Sequence, residues 1–64
     1  MKCYKIDRRT SKYNKYIKWF LYVYRNLESY NNNKPTLVSG YRTQNEARNF
    51  ADRLKDNAKM EEIK

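Results

Sequence analysis

Between Tyr4 and Tyr24 the chain interleaves cations with aromatic rings. Single-stranded nucleic-acid binders combine the same residue types, cationic groups for the phosphates and ring faces for the bases. Residues 1–25 carry Lys2, Lys5, Arg8, Arg9, Lys12, Lys15, Lys18 and Arg25 against one carboxylate, Asp7. The same stretch holds Tyr4, Tyr13, Tyr16, Trp19, Phe20, Tyr22 and Tyr24, seven of the ten aromatic residues. Residues 26–64 are nearly neutral, with seven cations and six carboxylates, so the first two-fifths supply almost all of the net charge of +8. That balance favours a polyanionic partner or an anionic surface and excludes an acidic mimic of DNA.

Other chemistry is poorly supplied. Acid-base and nucleophilic catalysis relies most often on His, or on a Cys or Ser beside a base. The chain has no histidine, one cysteine, and three isolated serines, Ser11, Ser29 and Ser39. We therefore expect no enzyme, no cofactor and no metal site, because zinc ligation draws on several Cys and His side chains. Cys3 alone cannot form an intramolecular disulfide, and it reads as an incidental free thiol able to cross-link in air. The longest apolar or aromatic run, Trp19 to Tyr24, is six residues, against about 20 for a membrane span. Charges interrupt the N-terminus where a signal peptide would be apolar. The expectation is a cytoplasmic protein with no membrane partner.

The elements that must position the basic and aromatic residues follow from periodicity. Cys3 to Asp7 alternates, with Tyr4 and Ile6 on one side. Arg8 to Lys15 reads as a polar hairpin loop. Residues 16–24 carry the clearest strand signal, separating Ile17, Trp19, Leu21 and Val23 from Tyr16, Lys18, Phe20, Tyr22 and Tyr24. Residues 26–35, with Asn31, Asn32, Asn33 and Pro35, read as a connecting loop. Thr36 to Arg42 resumes extended structure, interrupted by Gly40, the only glycine, where a bulge or close approach is expected. Thr43 and Glu46 have capping-box spacing, and Ala47, Phe50, Ala51, Leu54 and Ala58 follow as one apolar helical stripe. The helical charges are nearly balanced in sign. Met60 and Ile63 extend the stripe weakly, and the end is expected to fray.

Sixty-four residues leave room for one small domain, which buries only about 60% of its unfolded surface. The expected class is α+β, a three-stranded antiparallel sheet packed on one C-terminal helix in the order β-β-β-α. Strands are expected at about 2–7, 16–25 and 36–42, with the helix at about 44–60. One helix covers one sheet face. Tyr4, Ile6, Ile17, Trp19, Leu21, Val23, Leu37 and Tyr41 would meet Ala47, Phe50, Ala51 and Leu54. The other face would expose Lys5, Tyr16, Lys18, Phe20, Tyr22, Tyr24, Val38 and Arg42, bordered by Arg8, Arg9, Lys12 and Lys15. An exposed aromatic patch of that kind marks a binding site.

Lys18-Trp19 opening the alternating strand, followed by Ser39-Gly40-Tyr41-Arg42-Thr43-Gln44-Asn45-Glu46-Ala47, resembles a known family over about residues 16–58. It comprises the arm-site-binding N-terminal domains of phage and transposon tyrosine recombinases and the related plant ethylene-response-type domains. The resemblance implies a DNA-binding module of a phage or mobile element, whose sheet face away from the helix enters the major groove. By position it assigns contacts to Lys18, Phe20, Tyr22, Tyr24, Val38 and Arg42. Phe20, Tyr22 and Val38 stand where the family usually carries polar readers. Combined with the charge distribution, the expected nucleic-acid interface is Arg8, Arg9, Lys12, Lys15, Lys18, Phe20, Tyr22, Tyr24, Arg25 and Arg42, with DNA favoured over RNA. The alternative is a protein-binding module using the same aromatic face, either a small phage-type inhibitor or a homodimer.

Overall fold

The computed structural model describes residues 2–10 and 12–63; Ser11 lies outside the described residues. The chain is α+β. Its elements run β1 (Cys3–Arg8), β2 (Trp19–Tyr24), α1 (Leu27–Asn31), β3 (Leu37–Tyr41), α2 (Gln44–Ala58) and β4 (Glu61–Glu62). The three expected strand regions pair antiparallel around β2, but the sheet has four strands in the order β3-β2-β1-β4, with β4 parallel to β1. The expectation of a purely antiparallel three-stranded sheet is corrected accordingly.

Residues opposite one another across a ladder share a face. Tyr4, Ile6 and Arg8 stand opposite Val23, Leu21 and Trp19, which in turn face Leu37, Ser39 and Tyr41. This face packs on α2. Tyr4, Leu21, Val23, Ala51 and Met60 form its buried cluster, with Ile6, Tyr41 and Leu54 packed against them. Leu21 is wholly enclosed, at 0% exposure. Trp19 lies at the edge of this face and is half-buried. Leu37 and Phe50, expected in the core, are exposed, although Phe50 keeps a ring contact with Tyr41 at 6.0 Å between centroids.

The opposite face carries Cys3, Lys5 and Asp7 against Tyr24, Tyr22 and Phe20, then Val38 and Gly40. Contrary to expectation it is not left open along its length. The segment expected to be a loop contains α1, capped by Asn26, whose side-chain oxygen accepts from the Ser29 amide at 2.8 Å. Tyr30 of α1 meets Tyr24 edge-on with ring centroids 5.2 Å apart. Tyr24 is consequently 1% exposed and Cys3 beside it is also buried. Burial pushes the Cys3 thiol up from its ordinary pKa, so it is held neutral and away from oxidants, not exposed for cross-linking.

Ile17 also departs from its expected side. A Cβ placed on Gly40 would lie 2.6 Å from Ile17 Cγ2 and 3.2 Å from Phe20 Cε1, so Ile17 packs beside Phe20 on the outward face. The alternation fails there because residues 14–17 turn, with the Ile17 amide donating to the Asn14 carbonyl at 3.1 Å. Gly40 is required for this approach of side chains.

Helix α2 starts where the sequence indicates. The Thr43 hydroxyl accepts from the Glu46 amide at 3.3 Å. Thr43→Ala is expected to cost about 1 kcal/mol, lowering the melting temperature by about 4–8 °C in a thermal circular-dichroism scan; an unchanged midpoint would remove the cap from the account. The helix stops two residues before the expected end. Lys59 adopts a left-handed conformation, φ 52° and ψ 48°, which costs an L-residue about 1–2 kcal/mol. That cost is offset by returning Met60 to the core, at 3% exposure, and by the bonds that create β4. The Glu61 amide donates to the Lys2 carbonyl at 3.1 Å and the Ile63 amide to the Tyr4 carbonyl at 2.8 Å. Burial, and the nearby charge of Glu62, raise the pKa of Tyr4 beneath this crossing.

Candidate functional site

The basic residues converge at the mouth of the β1–β2 hairpin. Past the last paired residues of the ladder, Arg8 and Trp19, the Arg9 amide donates to the Lys18 carbonyl at 2.9 Å. On the other side the Lys18 amide donates to the Tyr41 carbonyl at 3.1 Å. Within the loop, the Tyr16 amide donates to Asn14 Oδ1 at 3.0 Å. These bonds fix both walls of a cleft of about 470 Å³ lined by Arg8, Arg9, Thr10, Lys15 and Lys18. Among the described residues, four of the five that line it are cationic and none is acidic. Like charges lining one cleft repel, and more strongly near a protein surface than in bulk water. An anion entering such a cleft relieves that repulsion while gaining charge-assisted hydrogen bonds.

Arg9 ties the cleft to the aromatic face. Its guanidinium carbon lies 5.5 Å from the Tyr22 ring centroid and Nη2 lies 3.7 Å from Asp7 Oδ2. Asp7 also pairs with Lys5 at 3.2 Å. Lys5 Nζ lies 5.4 Å from both the Tyr22 and Tyr30 centroids. Burial alone pulls the Lys5 ammonium pKa down, but the hydrogen bond and charge of Asp7 outweigh it and hold the group above its ordinary value. Lys5 is thus a cation already neutralised within the fold. Phe20 and Tyr22 are half-buried beside it, their ring centroids 6.5 Å apart. Tyr16, 63% exposed, has Lys15 Nζ at 5.8 Å and the Arg42 guanidinium at 6.0 Å from its ring.

The expected interface residues therefore separate into groups. Arg8, Arg9, Lys15 and Lys18 line one cleft; Phe20 and Tyr22 lie on the adjoining sheet face, and Arg42 joins through Tyr16. Arg8 does so from the helix side of the register, opposite Trp19, rather than from the outward face. Lys12 is exposed on the loop and does not line the cleft. Arg25 is exposed beyond the far end of β2, about 23 Å from Lys18 at 3.3 Å per residue. Tyr24, sealed under Tyr30, is unavailable to a ligand.

Sequence reasoning missed Thr10 as a lining residue and Asp7 as the anchor of Arg9 and Lys5. The period of two already placed Lys5 and Asp7 together on one side of β1, and that was the available signal. At the opposite end of the sheet, Lys2, Cys3, Asn26, Leu27, Glu28, Glu61, Glu62 and Ile63 line a second cavity of about 550 Å³. Among the described residues, no helix is long and apolar enough to cross a membrane. Comparison with protein families, with curated proteins and with solved structures returns no match.

Proposed function

We propose that this protein is a non-enzymatic nucleic-acid-binding module that takes phosphates in the hairpin-mouth cleft and stacks bases on the neighbouring rings. The observation that carries the reading is the cleft itself, four cations and a threonine with no lining carboxylate, beside Tyr16, Phe20 and Tyr22. The resemblance to the arm-site-binding recombinase domains favours DNA. Helix α1, however, covers the Tyr24 end of the sheet face that those domains insert into the major groove, which shortens the surface open to a duplex, so a single strand suits it better. Titrating single-stranded DNA while following Trp19 fluorescence tests the reading. About four neutralised phosphates predict a log-log slope of affinity against salt near −2.8. A slope near zero would remove the electrostatic mechanism.

One observation favours the second reading, a protein partner or homodimer. Edge strand β3 has exposed Leu37 and Val38, with no charged side chain from Leu37 to Tyr41, and uncharged edges template pairing with another strand. Sedimentation of the DNA-free protein tests the homodimer form of this reading: a stable dimer supports it, and a monomer removes it.

A further inference from the structure

We infer that the hairpin-mouth cleft takes a terminal phosphomonoester, so that the protein holds the phosphorylated end of a nucleic-acid strand and not its interior. The inference rests on the nucleic-acid reading above and narrows its ligand. A protein that tracks the interior of a strand spreads its cations along a groove. Here they converge from both walls of one hairpin mouth, Arg8, Arg9 and Thr10 on one side, Lys15 and Lys18 on the other.

Beyond the cleft, the sheet face offers no row of cations to continue a backbone. Lys5 is the one cation on that face within β1, and it is bound to Asp7. Further along, Tyr30 and α1 cover Tyr24. Arg42 beside Tyr16 and Lys12 on the loop are single exposed cations, not a row, so the accessible surface consists of one concentrated anion site, these two flanking cations and room for a few bases on Tyr16, Phe20 and Tyr22. A volume of about 470 Å³ falls in the range of small-molecule sites. A terminal phosphate carries a charge of about −1.5 to −2 at pH 7, with a second pKa near 6, whereas an internal diester carries a single charge. Four converging cations discriminate in favour of the denser anion.

The absence of histidine provides a clean readout. Histidine is the side chain whose ordinary pKa falls between pH 5 and 8, and this chain has none. Cys3, Tyr4 and Lys5 are shifted upward, away from that window. A change in affinity between pH 5 and 7 that a hydroxyl-ended strand does not share therefore reports ionisation of the ligand's terminal phosphate.

The test compares four probes on the full chain: a 12-residue oligothymidylate with a 5′-phosphate, the same with a 3′-phosphate, the same with hydroxyl ends, and free thymidine 5′-monophosphate. At least one phosphorylated oligomer should bind about tenfold tighter than the hydroxyl-ended one at pH 7, and the advantage should shrink towards pH 5 as the phosphate gains its second proton. Arg9→Ala or Lys15→Ala should abolish the preference, while Lys55→Ala on α2 should leave it; having two cleft variants guards against one failing to fold. Equal, pH-independent binding of phosphorylated and hydroxyl ends would overturn the inference and leave the nucleic-acid reading standing. Mononucleotide binding as tight as the oligomers would support the phosphomonoester site and overturn the strand reading. No binding by any probe would overturn both.

Discussion

Replacing Arg9, Lys15 and Lys18 together with alanine is expected to weaken binding to single-stranded DNA about 100-fold at 0.1 M salt and to reduce the salt slope from about −2.8 to about −0.7. The estimate follows from counterion release, each lost phosphate contact removing about 0.7 from the slope for a single strand. All three side chains are exposed, so their removal leaves the apolar core under α2 intact. Arg9 also loses its contacts with Asp7 and Tyr22, a surface cation–π pair worth about 0.5–1 kcal/mol. The relief of repulsion among the cleft cations works in the opposite direction. The melting temperature should therefore change little while affinity collapses. Anisotropy titrations at several salt concentrations measure both quantities, and an unchanged slope would mean that the phosphates sit elsewhere.

Gly40→Val is expected to be the most damaging single substitution outside the α2 core. Even the first carbon of a side chain would lie 2.6 Å from Ile17 Cγ2 and 3.2 Å from Phe20 Cε1. Ile17 Cγ2 branches at the β-carbon and cannot swing away as the tip of a lysine would. Overpacking of this kind costs about 1–3 kcal/mol, against a total stability of about 3–10 kcal/mol for a domain this size. The contact also bears on the proposed site, since Ile17 closes the loop that carries Lys15 and leads into Lys18. Gly40→Val should thus lower both the unfolding midpoint in urea and the affinity for DNA. Introduced with Ile17→Ala, it should cost less than the sum of the two changes, because the clash is then relieved. Additive costs in that cycle would contradict the packing described here.

The strand alternation of Trp19 to Tyr24, the Thr43 cap and the apolar stripe of α2 were legible because each is a local pattern with a local cause. Parity correctly separated Leu21 and Val23 from Phe20 and Tyr22. It failed for Ile17 because the turn at residues 14–17 shifts the phase before β2 begins, a break no alternating pattern records. Helix α1 is a single turn of five residues, too short to display a period, although Asn26 three residues before Ser29 was a cap signal. Its consequence for Tyr24 depends on Tyr30 folding back over the sheet, which is tertiary. Strand β4 has only Glu61 and Glu62, residues with little strand preference, and exists through its bonds to the edge of β1. For the site, charge composition pointed only to residues 1–25, and the gathering of four of those cations along one cleft depended on the hairpin register. That register also separated Arg25 and Lys12 from the residues they were grouped with.

Following backbone amide chemical shifts as a short single-stranded DNA is added locates the proposed anion site on the protein. The largest perturbations are expected on Arg8, Arg9, Thr10, Lys15 and Lys18, with smaller ones at Tyr16, Phe20 and Tyr22 and none along α2. Perturbations centred on Arg48, Arg53 and Lys55, with the hairpin mouth silent, would contradict it.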